Sequence, residues 1–317
     1  MRLFDSLLRK KVIPPGPTAN DSGLIRFFDQ SGAEVFVTKE QWRTSILPAS
    51  LKSHWEDPEA LYGIVVLALQ DDFAADVLDA AEHLHRVDPL PSRGACVFGI
   101  ALIKTRQLDK AEQIFRTYLE HHGEDGTVLT NLAKIYSARN DAERAEATLW
   151  HALEVDPNQD NGLSWYAVIH RERSGKEAEV EAWRRVAAIP GSWRAQLWLA
   201  RAALESRNRE RGMAYYHESM SQVGDNIPAD FLMQMTGDLG QHGLLPELLE
   251  FSEPRFDPAI HGLQVGNNLI KANLELGRFD AARKILNQLR LLKRPDWNQS
   301  LSFWDTEITR AQIANLR

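Results

Sequence analysis

Ten histidines, one cysteine and 44 carboxylates are the groups in this 317-residue chain that could move protons, attack carbon or hold metal. Their spacing offers little for any of these. His83 and His85 are two residues apart, so on a helix they point roughly 200° apart and cannot chelate one ion. His121 and His122 close a helical stretch, where the helix dipole favours an imidazolium. There is no H-E-x-x-H run, no G-x-G-x-x-G and no G-x-x-x-x-G-K-[ST]; Ser174-Gly175-Lys176 lacks the upstream glycine of a phosphate loop. Cys96 sits in an apolar helical stretch and reads as a small buried hydrophobe. A lone thiol leaves no disulfide framework and no multi-cysteine zinc site. Asp71-Asp72 and Glu56-Asp57 fall at expected helix starts, where the dipole accounts for them. The expectation is a protein with no catalytic, cofactor or metal site. Triads assemble in space, so the fold has to test it.

The elements around these residues are better defined. At 44% hydrophobic and 26% charged, the chain has the composition of a folded protein. Its net charge of −7 argues against general nucleic-acid binding. The longest apolar run, Leu61-Tyr62-Gly63-Ile64-Val65-Val66-Leu67-Ala68-Leu69, is half the length a bilayer span needs and fits a buried helix. Residues 1–22 read as an amphipathic arm and a Pro-rich linker. Leu3, Phe4, Leu7 and Leu8 recur at helical spacing, Arg9-Lys10-Lys11 follow them, and Pro14-Pro15-Gly16-Pro17 stops the helix. A secretory signal has the opposite charge order, so a cytoplasmic location is expected. Residues 23–57 read as a cap. Leu24–Phe28 and Glu34–Thr38 predict a β-hairpin, and Thr38 with Gln41 predicts a capping box starting a helix that Pro48 interrupts.

From residue 58 to about 294 the pattern is helical, with breaks near 90, 124, 158, 191 and 227. It repeats. Phe98-Gly99, Leu132-Ala133, Tyr166-Ala167 and Leu199-Ala200 follow at intervals of 34, 34 and 33 residues. Phe115, Leu149, Trp183 and Tyr216 keep the same step. A small residue lets two helices approach, and a large one fills the space between pairs. Residues 295–317 then carry Leu301, Trp304, Ile308 and Ala311 on one helical stripe, which predicts a capping helix. Residues 252–263 are too polar and too proline-broken to continue a helix; they read as an insertion or a repaired register slip.

This alternation resembles the tetratricopeptide repeat family. The best copy is residues 126–159, with Leu132, Ala133, Tyr136, Ala145, Leu149, Ala152 and Pro157. Residues 92–125 and the run Leu276-Gly277-Arg278-Phe279 with Ala282 and Leu286 match well, whereas 160–192 and 193–226 have Glu179 and Gly212 where Ala is usual. The resemblance implies an all-α fold: a right-handed superhelical α-solenoid of about seven helix-turn-helix units behind the hairpin cap. It also implies that the first helices line a concave groove. One column there runs Asn131, Trp165, Trp198 and Asn268, and a second runs Lys134, Val168, Arg201 and Lys271. Arg93, Lys104, Thr130, Arg171, Arg194 and Asn267 neighbour them. Over residues 92–226 these inner positions hold six basic residues against Glu172 and Glu205, so an acidic or C-terminal peptide is the expected ligand. Asn131, Lys134, Trp165, Arg171, Arg194, Trp198, Arg201, Asn267, Asn268 and Lys271 are the implied contacts. The tryptophans could equally fill inter-repeat space, and the charges could be a solvated face. The subtype that clamps chaperone C-termini fits poorly, since Cys96 and Ile100 stand where it needs Lys and Asn. The expected role is a protein-binding scaffold or adaptor. The alternative is a regulatory subunit docking an enzyme or a membrane-associated complex through its outer surface or its arm.

Overall fold

Strand β1 (Leu24–Phe28) pairs antiparallel with β2 (Glu34–Thr38), Leu24 opposite Thr38 and Phe28 opposite Glu34. The computed structural model describes residues 24–28 and 34–315, so the amphipathic arm expected over residues 1–22 lies outside them. The Thr38 side chain accepts from the Gln41 N–H, and the Gln41 side chain accepts from the Thr38 N–H, both at 3.1 Å. That is the capping box the spacing predicts. The expected break at Pro48 does not occur. A π turn, Trp42–Ile46, runs straight into α1 (Leu47–Ser53). Pro48 falls in the first turn of α1, where its missing N–H is not needed.

The rest of the described chain is helical and falls into two compact units, Met1–Gly175 and Lys176–Arg317. The first holds α2 (Pro58–Gln70), α3 (Leu78–Val87), α4 (Pro91–Lys104), α5 (Leu108–His122), α6 (Gly126–Ala138), α7 (Ala142–Val155) and α8 (Asp160–Ser174). Helices α2, α4 and α6 each pack on their second helix and on the first helix of the next pair, so α2, α4, α6 and α8 form one layer. This is α-solenoid stacking. Asp57 and Asp125 start α2 and α6 by accepting from two N–H groups each, and Pro91 opens α4. A predicted small-large pair meets across the α4–α5 hairpin: Gly99 faces the ring of Phe115, which is fully buried.

The second unit holds α9 (Lys176–Ala187), α10 (Arg194–Glu205), α11 (Arg209–Val223), α12 (Ala229–Gln241), α13 (Leu245–Ser252), α14 (Pro258–Glu275), α15 (Phe279–Leu291) and α16 (Asn298–Asn315). Here α10, α12, α14 and α16 make the corresponding layer. The stretch 252–263 breaks the helix: a 3-10 turn, Glu253–Arg255, follows α13, and α14 kinks at Gly262, whose φ is 67°. His261 fastens that break. Its Nδ1 accepts from the Asp257 N–H at 2.9 Å, and its Nε2 lies 3.0 Å from the Ile227 carbonyl and donates to it. Helix α16 buries Leu301 and Ile308, as the stripe predicts.

The turns inside the hairpins share one geometry. A residue with positive φ stands at Asp72, Arg106, Asn140, Arg207, Gly243 and Gly277. The next N–H bonds the carbonyl five residues back, as in Gln107 to Leu102 and Asn208 to Ala203. This six-to-one closure satisfies the carbonyls at the end of the first helix and turns the chain back sharply.

Candidate functional site

The first helices of each unit carry the residues that the resemblance implies as contacts, and most of these are engaged within their own unit. In the first unit Asn131 is 3% exposed. Its Nδ2 donates to the Thr127 carbonyl at 3.0 Å and to Cys96 Sγ at 3.4 Å, while its Oδ1 accepts from Lys134 Nζ at 2.9 Å. Burial pushes the Cys96 thiol up to about 12, which favours the protonated form. Thr130 donates to Gln159 Oε1, Trp165 is buried, Val168 is half-buried and Arg171 is exposed. Arg93 forks onto Asp88 at 2.8 and 3.0 Å and reaches Glu59 at 2.6 Å, with Tyr62 beneath its guanidinium. Lys104 bonds Asp72 at 2.8 Å.

In the second unit Arg194 pairs with Asp230 and lies over Trp193. Arg201 donates through Nε to Asp238 Oδ1 at 2.8 Å, and its guanidinium sits 4.5 Å over the Trp198 ring. Trp198 is half-buried and stacks on Trp183, centroids 5.7 Å apart. It therefore fills space between helices while remaining partly exposed. Asn268 Nδ2 donates to Thr236 Oγ1 at 2.9 Å. Asn267 Oδ1 accepts from Trp304 Nε1 at 2.8 Å and from Ser300 Oγ at 3.2 Å. Lys271 is exposed, with a loose 3.8 Å contact to Glu275.

The basic lean expected of this face is thereby offset. Glu59, Asp72, Asp230 and Asp238 each meet a cation from 32 to 37 residues away, close to one repeat period. Asp88, whose side chain is fully buried, completes the Arg93 cluster. Such pairs fix neighbouring helices in register, because removing one partner strands a charge in a low-dielectric setting. Burial pushes the Asp238 carboxyl up, and Arg201 pulls it back only in part. Counting charges along single helices missed these counter-ions; offsetting the sequence by one period would have found them. Sequence reasoning also missed Gln234. Its Nε2 on α12 and Trp198 Nε1 on α10 are both buried with no hydrogen-bond partner among the described residues. No group of three metal-ligating side chains occurs among the described residues, and no described helix is long and apolar enough to cross a membrane.

Residues 101–167, the stretch from the end of α4 into α8, match the family model for the tetratricopeptide repeat. Over these residues the chain carries the tetratricopeptide repeat. No curated protein matches it in sequence. Among solved structures, it is similar to a tetratricopeptide repeat protein from Parabacteroides merdae, at 12% identity over 80% of this chain and 99% of that one, with a TM-score of 0.34. It is similar to YrrB, described as a TPR protein with an unusual peptide-binding site, at 14% identity over 57% and 93%, with a TM-score of 0.31. It is also similar to a chain of the APC/C hetero-tetramer Cut9-Hcn1, at 16% identity over 80% and 49%, with a TM-score of 0.36. The repeat positions carry this assignment in the structure too: Leu132, Ala133, Tyr136, Ala145, Leu149 and Ala152 are all buried. Repeats of this kind generally bind other proteins rather than catalyse reactions.

Proposed function

We propose that the chain is a scaffold or adaptor whose second unit takes an extended protein segment on its layer of first helices. The observation that supports this most is the pair of donors without acceptors, Trp198 Nε1 and Gln234 Nε2. The Arg194–Asp230 and Arg201–Asp238 pairs, 36 and 37 residues apart, hold α10 against α12, and Gln234 follows Trp198 at the same offset in sequence. A buried N–H without a partner costs about 1–3 kcal/mol, a penalty that a bound oxygen acceptor removes. With Arg201 already matched by Asp238, the local set is rich in donors rather than in net positive charge. It suits the carbonyl oxygens of an extended segment or a terminal carboxylate. Arg194 and Asn268 then position the helices, while Lys271 and Asn267 extend the surface along α14. In the first unit Lys134 and Arg171 stand at the corresponding surface positions, with Asn131 and Trp165 buried beneath that surface. The single thiol fits a cytoplasmic setting.

The test is affinity purification of the intact chain, identification of partners by mass spectrometry, and titration of the captured segment as a synthetic peptide. Gln234→Leu, Trp198→Ala and Arg201→Glu should each weaken binding about tenfold or more while circular dichroism stays unchanged. Free-acid and amidated peptides of equal affinity would assign the contacts to backbone carbonyls. A large preference for the free acid would assign them to a C-terminus. Wild-type affinity in all three variants would refute the site.

A further inference from the structure

Helix α16 buries one stripe and exposes another. Leu301 and Ile308 are buried, Trp304 Nε1 reaches Asn267 of α14, and Asp305 takes Arg283 and Arg290 of α15. At about 100° per residue, Phe303, Arg310 and Ala314 fall opposite that buried stripe, with Glu307 and Ile313 on either flank. Phe303 is 56% exposed and Ile313 51%. Single exposed apolar residues carry no message, but here two share one face with a charge pair between them. The Phe303 ring is braced edge-on against Trp304, centroids 5.0 Å apart. Arg310 lies 2.8 Å from Glu307, and both side chains remain open to solvent.

We propose that this face of α16 binds the same face of a second copy of the chain, the two helices running antiparallel about a two-fold axis. Such a contact must be complementary to itself, and this stripe is. An axis midway between Glu307 and Arg310 sets each Glu307 against Arg310 of the second copy. The same axis sets Phe303 against Ala314, a large side chain against a small one. It also brings Ile313 beside Phe303 and Thr306 of the second copy. In a parallel pair Glu307 would face Glu307 and Arg310 would face Arg310, so the charges select the antiparallel register. Nothing nearby upsets this match. Gln299, Ser302 and Thr306 are neutral, Asp305 is held by α15, and Arg278 and Asp280 beside the C-terminal turn add one charge of each sign. From Phe303 to Ala314 the contact is about three turns long. That buries less than the roughly 1,600 Å2 of a standard interface, so the dimer belongs to the weak, concentration-dependent class. The peptide site proposed above lies on α10, α12 and α14, so neither inference depends on the other.

The test is sedimentation velocity on the full chain at rising concentration. The wild type should pass from one copy to two with a dissociation constant of roughly 1–100 µM. Phe303→Asp and Ile313→Asp should each weaken this about tenfold or more. Both side chains are exposed, so the melting curve should not move. Arg310→Glu gathers four carboxylates at the axis, and Glu307→Arg gathers four guanidinium groups there. Each should leave the chain single at low salt. Mixed together, these two charge variants should form a one-to-one dimer, because each then meets the opposite sign. A wild-type chain that stays single at every concentration, whatever other protein it captures, would overturn the proposal. So would a dimer that all four variants leave intact, or charge variants that fail to associate when mixed.

Discussion

Two glycines in the first unit should respond to the same substitution with opposite signs. Gly99 lies within α4, and a Cβ built there falls 2.1 Å from Cζ and 2.4 Å from Cε1 of Phe115. Gly63 lies within α2, and its Cβ would meet nothing within 4 Å. Alanine removes the same backbone freedom from the unfolded chain at both sites, a gain of about 1 kcal/mol inside a helix. At Gly63 that gain stands alone, so Gly63→Ala should stabilise by about 0.5–1 kcal/mol. At Gly99 the ring must retreat by about 1.3 Å to reach ordinary contact, and Phe115 is fully buried with nowhere to go. Overpacking of this kind costs about 1–3 kcal/mol, so Gly99→Ala should come out destabilised by up to about 2 kcal/mol. Since two units need not unfold together, the assay is hydrogen exchange resolved to peptides from α2 and from α4–α5, supported by urea melts. Faster exchange across α4 and α5 in Gly99→Ala, with slower exchange across α2 in Gly63→Ala, is the expected result. Adding Phe115→Leu to Gly99→Ala should cost less than the two singles together, by about 1 kcal/mol. Equal stabilisation by both alanines would refute the close packing of Gly99 on Phe115.

Glu112 joins α5 to α6 by accepting from Arg116 at 2.8 Å, from Tyr136 at 3.2 Å and from Arg139. Burial pushes its carboxyl up, but the two arginines outweigh this and hold it down at about 2, below the ordinary 4.5. A depressed carboxyl adds stability above pH 4.5 and loses it as pH falls towards 2. The wild type should therefore exceed Glu112→Gln by about 1 kcal/mol at pH 7 and by almost nothing near pH 2, read from urea midpoints; a pH-independent gap would refute the pairing. Arg207 adopts φ 59°, a conformation that glycine holds at less cost. Arg207→Gly should raise the melting temperature by a few degrees, equivalent to about 0.5–1 kcal/mol, while Gly243→Ala at the matching turn should lower it.

Much of the fold is legible because burial recurs with the repeat. Phe98, Leu132, Tyr166 and Leu199 are all buried, as are Phe115, Leu149, Trp183 and Tyr216, so a period of 33 or 34 in side-chain size reports one packing environment used again and again. The hairpin, the Thr38 capping box and the final helix are legible for a similar reason, since each rests on neighbours close in sequence. The intra-hairpin turn is not. Asp72, Arg106, Asn140 and Arg207 share one backbone conformation without sharing a residue type, because the closure of the first helix imposes it.

By itself, the sequence determined the helical hairpin, its period, and which residues stand on the first helices. It could not determine the state of those residues. Arg93, Lys104, Arg194 and Arg201 read as a basic rail until Asp88, five residues before Arg93, and helices about one period apart, carrying Glu59, Asp72, Asp230 and Asp238, come against them. Charge neutralisation and the unpaired nitrogens of Trp198 and Gln234 depend on distances between separate helices. Those distances are set by ridge-into-groove packing, a property of side chains meeting across a layer and not of any one stretch of chain.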